Sequence, residues 1–249
     1  MIFKVSMVRA FRSRLSLVFG FLLTTGWLLH SLIATIILLW RYNEIAGWNR
    51  SEIMVLYCVW GLINGVVVFF FWPSLTQLSN KIVDGDLDLI LTKPVNEIFL
   101  SSMNYFGFHN LLNGIMYLVI MFFFLPKVGI VEVLLFVVLC VMGMVMHYFL
   151  WLIMVTFSFK FGRLMGTFDL VAVFRSSGRF PPEAYSKVPL VYLVLFVPFV
   201  VYSAVPASIL VGRSDWRWIT VFMFCFVIEV VFGMWFWKRS VKEYSSASS

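Results

Sequence analysis

Six stretches of the sequence are apolar over about 20 residues or more, and a chain with that pattern has to be built for lipid. They fall near residues 15–40, 53–72, 98–125, 130–157, 188–211 and 216–237. In hydrocarbon the backbone must satisfy its own hydrogen bonds, so each run is expected to be a helix. Composition agrees: 62% of the 249 residues are hydrophobic and 12% are charged, against roughly a quarter in soluble domains. So much apolar surface exceeds what a core of this size hides. The expected fold is an all-α integral membrane protein, one domain over residues 1–249 with six transmembrane helices. The first run follows a basic segment, as in a signal peptide, but is too long for a cleavable apolar core and is taken as the first span.

Orientation follows from lysine and arginine, which concentrate on cytoplasmic loops. With the N-terminus inside, the inner segments hold Lys4, Arg9, Arg12, Arg14, Lys81, Lys93, Lys160, Arg163, Arg175, Arg179, Lys187, Lys238, Arg239 and Lys242. The outer ones hold Arg41, Arg50, Lys127, Arg213 and Arg217. An even number of spans then puts both termini in the cytoplasm. The net charge of +7 is read as this bias; no basic run with interleaved aromatics suggests nucleic-acid binding. The outer connections are short, with Trp48 expected at the membrane interface.

The inner connections carry more information. Leu75, Leu78 and Ile82 recur at helical spacing, which predicts a short amphipathic helix between spans 2 and 3. Asp84, Gly85, Asp86 and Asp88 follow as an acidic turn; the other ligands of a calcium loop are missing, so no metal is expected there. Residues 158–187 contain Gly162, Gly166, Gly178 and the pair Pro181–Pro182, which break regular helix, and their basic residues place them at the cytoplasmic face. The fifth span carries Pro189, Pro198 and Pro206, which predicts kinks or a broken helix of the kind that lines transport pathways. Glu229 is the single acid deep in a span and reads either as a pathway residue or as a group joining helices. Asn64 and Asn113 are polar candidates between helices.

Chemistry of other classes is missing from the pattern. No G-x-x-x-x-G-K-[ST] loop occurs, so the chain is not expected to bind or hydrolyse ATP. His30, His109 and His147 fall on different spans, and no hydrolase or metalloprotease motif is found. A membrane enzyme would need convergent catalytic groups. An ion-coupled carrier would need more intramembrane charge and an internal repeat. A non-transporting membrane assembly factor stays open.

Four stretches in order resemble the six-span branch of the bacterial ABC-2 type permeases. GDLDLILTKPVN at 85–96 is similar to its G-x-x-D-x-x-L-x-(K/R)-P element. RFPPEAYSKVP at 179–189 resembles its aromatic–Pro element before the fifth span. VPFVVYSAVPASILVG at 197–212 resembles its proline-spaced P-A-x-x-L-x-G stretch, and the tail ending VKEYSSAS at 241–248 resembles its Y-S-S-A-G ending. The resemblance implies an ABC exporter subunit in the bacterial cytoplasmic (inner) membrane. It would pair with a second permease, the same chain or a related one, and work with a separate ATP-binding subunit that carries ATP and Mg. The helix around Leu75, Leu78, Ile82 and Val83, with Asp84, Asp86 and Asp88, would be the coupling element. Its apolar stripe would sit in a groove of the ATPase, so an acid at Leu78 or Ile82 should break assembly. Pro198 and Pro206 would form the outer end of the pathway, with Asn64 and Glu229 as further pathway candidates.

Overall fold

The computed structural model describes residue 7 and residues 14–244, apart from residue 95 and residues 163–171. The basic N-terminal segment, Arg163, Gly166 and the tail beyond Tyr244 lie outside the described residues.

Among the described residues the regular structure is helical, apart from one hairpin of two-residue strands. The principal helices are α1 (Arg14–Arg41), α2 (Arg50–Phe70), α3 (Trp72–Asp84), α4 (Asp88–Leu91), α5 (Glu97–Ser102), α6 (Phe108–Phe124), α7 (Ile130–Thr156), α8 (Ser158–Phe161), α9 (Leu190–Leu210) and α10 (Trp216–Glu243). Strands β1 (Glu44–Ile45) and β2 (Trp48–Asn49) join α1 to α2. Among the described residues four helices are long and apolar enough to cross a membrane: Leu17–Arg41, Arg50–Phe70, Ile130–Phe161 and Trp216–Glu243. Phe108–Phe124 and Val197–Leu210 are shorter apolar helices.

Burial orders these helices. In α2, 72% of the apolar window is buried, against 17% in both α1 and α10. α2 is therefore the central post, with Ile53, Val55, Leu56, Tyr57, Cys58, Val59 and Ile63 fully enclosed. α1 and α10 present Leu22, Leu23, Trp27, Ile37, Phe224, Val227 and Val231 outward. An apolar exterior around a packed centre is the arrangement a lipid solvent selects.

The bundle has two chemically distinct ends. At the hairpin end, Ala46 and Gly47 both adopt positive φ, as a two-residue turn of this kind requires. Asn49 and Glu52 form a capping box on α2: Glu52 N–H donates to Asn49 Oδ1 at 3.0 Å, and Asn49 N–H donates to Glu52 Oε2 at 2.7 Å. The other carboxylate oxygen of Glu52 accepts from Arg213 Nε at 2.8 Å, which ties the end of α9 to the start of α2. Trp48 is buried beneath the Arg213 guanidinium rather than placed at a lipid interface. A cation over an indole face explains why this tryptophan turns inward.

At the opposite end, α3 leaves α2 at the Phe71–Trp72 corner and stops at Gly85. The left-handed backbone of Gly85 (φ 85°) suits a residue without Cβ. The apolar run 98–125 is not one helix. It breaks at residues 103–107, and the break is sewn to the α2–α3 corner. Tyr105 N–H donates to Ser74 Oγ at 2.9 Å, Ser74 Oγ donates to the Tyr105 carbonyl at 3.1 Å, and Gly107 N–H donates to the Phe69 carbonyl at 2.8 Å. These bonds occupy backbone groups that the break frees.

α10 returns to this end, where Phe159 packs on both Trp237 and Tyr244. Burial first, and then the Asp88 and Asp86 carboxylates, push the Tyr244 phenol above its ordinary range, so the chain's last described residue lies beside the acidic turn. α1 also begins at this end, with Gly20 beside His109 near the start of α6.

Candidate coupling surface and transport pathway

The acidic, amphipathic element and the polar groups inside the bundle are the two features that lipid and packing alone do not require. In α3 the residues at helical spacing, Leu75, Leu78 and Ile82, are all buried within this chain. The helix packs on α5, α7 and α8, with Trp72 against Trp151 and Ser79 Oγ 2.7 Å from Ser158 Oγ. This corrects the expectation that the stripe enters a groove of another protein. A stripe of that width is what fastens a surface helix to its own core. Val83 and Asp88 are half-buried. Asn80, Asp84, Asp86, Leu89, Thr92, Lys93 and Pro94 are exposed. Leu89 stands out among them as an aliphatic side chain 68% exposed between charges. Among the described residues no three His, Cys, Asp or Glu side chains converge as metal ligands, the acidic turn included.

The interior site is built on α2. Trp60 and Asn64 lie on its middle turns, ten residues or more from Arg50 and six or more from Phe70. At 1.5 Å per residue Trp60 is about 15 Å from either end, and Asn64 is about 9 Å from the Phe70 end. Trp60 Nε1 donates to the Arg175 carbonyl at 2.9 Å, and Arg175 Nη1 donates to Asn64 Oδ1 at 2.5 Å. The Arg175 and Arg179 guanidiniums stand 5.9 and 4.9 Å from the Trp60 ring. Gly178 lies flat against α9: its carbonyl accepts from Ser203 Oγ at 2.7 Å, and a Cβ there would fall 2.5 Å from the Phe199 carbonyl oxygen. Phe174 stacks on Phe199, and Tyr185 O–H donates to the Ser177 carbonyl at 2.8 Å.

Residues 172–185, with 3-10 turns at Ser177–Arg179 and Pro182–Tyr185, thus pack into the bundle interior rather than on its cytoplasmic face. From there Glu183 reaches the hairpin end, where its Oε1 accepts from Trp218 Nε1 at 2.9 Å. A cleft of about 130 Å³ opens beside it, lined by Trp48, Pro182, Glu183, Ser208, Arg213 and Trp218. Counting loop charges places arginines correctly only where the loop stays outside the membrane. Here an indole face and an amide receive them instead.

The two prolines do not break their helix. α9 continues through Pro198 and Pro206. Pro206 has no N–H for the Tyr202 carbonyl, one turn earlier. That carbonyl is turned towards Gly143 of α7, where a Cβ would fall 2.4 Å from it. The carbonyl that loses its helix partner thus lies at a close helix–helix approach.

Pro206 is enclosed and Pro198 half-buried, and both lie on the helix that carries Ser203 and Tyr202. Asn64 joins this cluster through Arg175. Glu229 does not: it lies on α10, 5% exposed, and neither carboxyl oxygen has a hydrogen-bond partner among the described residues. It therefore makes no helix-joining bond there. An unsatisfied buried polar group costs about 1–3 kcal/mol, so Glu229→Leu is expected to raise the thermal midpoint of the purified chain. A lowered midpoint would show that the carboxyl has a partner.

The groups that sequence reasoning passed over are Arg175 and Arg179 as interior residues, together with Tyr202. The Gly-Pro content of 177–182 was the visible signal. Two cations without a carboxylate partner, as these are among the described residues, cost several kcal/mol each in a low-dielectric interior. Cation–π contacts return about 0.5–2 kcal/mol apiece. Stacking on Trp60 alone therefore leaves the pair short of compensation.

Comparison with known proteins adds one match. The family model for "ABC-2 family transporter protein" matches residues 25–248, nearly the whole chain. No curated protein and no solved structure matches it.

Proposed function

Because this chain belongs to the ABC-2 family of transporter proteins and is the membrane permease component of an ABC transporter, we propose that it is half of the membrane channel of an exporter. It pairs with a second permease and is driven by a separate ATP-binding subunit docked at the α3 end. In this reading α1, α2, α6, α7, α9 and α10 are the six spans, and α5 prolongs the third towards the cytoplasm. Lys81, Lys93, Lys160, Lys238, Arg239 and Lys242 cluster at the α3 end, which supports reading that end as the cytoplasmic one, with both termini on that side. The membrane is the bacterial inner membrane.

The observation that carries the coupling assignment is the exposed Leu89 on a surface whose neighbouring amphipathic stripe is already spent on the bundle. The ATPase contact is then made by Asp84, Asp86, Leu89 and Lys93. Leu75, Leu78, Ile82 and Val83 act as the rigid mount that transmits the ATPase movement to α2 and α7. An aliphatic anchor with charged surroundings is the usual composition of an interface centre and rim. The pathway runs along α2 and α9, past Asn64, Pro198 and Pro206, to the cleft at the hairpin end. Closure of the ATPase pair would shift α3 against α8 and open that cleft.

Cysteine crosslinking tests the docking site. Leu89→Cys is expected to crosslink to the co-expressed ATPase and to stay unlabelled by a membrane-impermeant thiol reagent added outside. Labelling of Leu89→Cys from outside would contradict the orientation.

A further inference from the structure

We propose that Arg175 and Arg179 form a binding site for an oxyanion, a phosphate or carboxylate group, inside the bundle between α2, α7, α9 and the 172–185 segment. The two guanidiniums approach one indole, Trp60, and lie within Coulombic reach of each other. Neither is ion-paired to a carboxylate among the described residues, and the Nε of each is closed off from solvent without a hydrogen-bond partner. Only one of their contacts is a strong side-chain acceptor, Asn64 Oδ1 towards Arg175.

The surrounding groups are also donors in need of acceptors. Tyr202 is fully buried beside the Trp60 indole N–H, and its hydroxyl finds no acceptor among the described residues. His147 is buried with neither ring nitrogen hydrogen-bonded among the described residues, and its ring centroid is 4.9 Å from that of Tyr202. Both lie within Coulombic reach of Arg175, and Arg179 is within reach of Tyr202, Tyr57 and Tyr117. Glu183, four residues after Arg179, is held by Trp218.

A cluster of this kind has surplus positive charge, surplus donors and too few acceptors. An oxyanion supplies what is missing: two or three oxygens for the guanidinium forks and a negative charge for both cations. Arg175 and Arg179 are half-buried, which leaves a face of each open to an entering ligand. Buried ionisable groups in membrane proteins mark ligand and ion paths, and this one lies near mid-depth on the central helix. The inference rests on the arginine cluster alone and holds whether or not the ATPase docks as proposed.

The anion comes either free or as the headgroup of an acidic lipid, and two arms separate the sources. Full-length chain in uncharged detergent is titrated with inorganic phosphate at constant ionic strength, with chloride as reference. In parallel, the chain is placed in nanodiscs of phosphatidylcholine with increasing phosphatidylglycerol. The thermal midpoint is read in both. A saturable rise is expected in at least one arm: with phosphate for a free oxyanion, with phosphatidylglycerol alone for a lipid headgroup. Removing one charged hydrogen-bond donor typically weakens such binding by about tenfold or more, and Arg179→Gln is expected to shift the titration by that factor.

Arg179 is the better target because it makes no side-chain hydrogen bond among the described residues, whereas Arg175→Gln also loses the Asn64 bond. Arg239→Gln, which breaks a surface pair with Glu243, should titrate like the parent. No saturable response in either arm would overturn the proposal. So would an equal response in Arg179→Gln. Asp169, six residues before Arg175, lies outside the described residues; a parent without response beside an Asp169→Asn variant that acquires one would also overturn the proposal, by assigning the countercharge to the chain itself.

Discussion

Gly65→Ala should cost this protein much of its stability, while Gly114→Ala, at the facing position, should be tolerated. The two glycines are where α2 and α6 approach most closely. A Cβ at Gly65 would stand 2.9 Å from Gly114 Cα and 3.0 Å from its nitrogen. Both are backbone atoms, so no rotamer change can make room and the helices must separate. A Cβ at Gly114 points elsewhere, with Gly65 backbone atoms at 3.9 Å, an ordinary contact.

One turn along α2, a Cβ at Gly61 would meet the Tyr117 ring at 2.3 Å. That ring is boxed in by Tyr57 and Trp60, with centroids at 5.4 and 6.4 Å. Gly61 and Gly65 therefore form a small-residue face of the G-x-x-x-G type, the usual device for bringing two helices together in lipid. Overpacking of this kind costs about 1–3 kcal/mol. Alanine's better helix propensity returns at most about 1 kcal/mol at either position. Thermal midpoints in detergent should thus fall for Gly65→Ala and stay level or rise for Gly114→Ala. Equal midpoints would mean that the α2–α6 contact is looser than described.

Leu89→Asp and Leu78→Asp should both abolish transport, by different routes. Leu89 is exposed, so an acid there leaves the fold intact and removes the aliphatic centre of the proposed ATPase contact. Interface centres of this type lose about 2 kcal/mol or more on truncation. The purified chain should keep its parental midpoint and lose its ATPase. Leu78 is buried under α3, and a carboxylate there must be desolvated or expose the helix. That variant should show a lowered midpoint before any question of docking arises. If Leu89→Asp retained a bound ATPase with normal turnover, the coupling surface would lie elsewhere.

How much of this was visible beforehand depends on which force decided each feature. Hydrophobic length predicted the apolar helices, because lipid leaves the backbone no other choice; α1, α2, α7 and α10 lie close to the runs that announced them. The amphipathic spacing of Leu75, Leu78 and Ile82 predicted α3, but periodicity identifies only a buried face and not what buries it. The break at 103–107 was hidden because its residues are as apolar as their surroundings, and it is stabilised by partners 30 or so residues away, Ser74 and Phe69.

Arg175 and Arg179 were misplaced for a related reason. Charge counting assumes that cations avoid the interior, and here Trp60 and Asn64 receive them. Pro206 announced a broken helix, yet the glycine beside its freed carbonyl, Gly143, is on another helix and 63 residues away in sequence. Trp48 carries the signature of an interface anchor, and only the tertiary position of Arg213 turns it inward.

The most direct test of the account is nucleotide turnover by the chain with and without an ATPase. The full-length chain, reconstituted in vesicles, is assayed alone and after co-expression with a phosphate-loop ATPase. The account predicts no ATP hydrolysis and no transport from the chain alone, and hydrolysis coupled to export when the two are together. ATP turnover or cargo movement by the permease in isolation would contradict it.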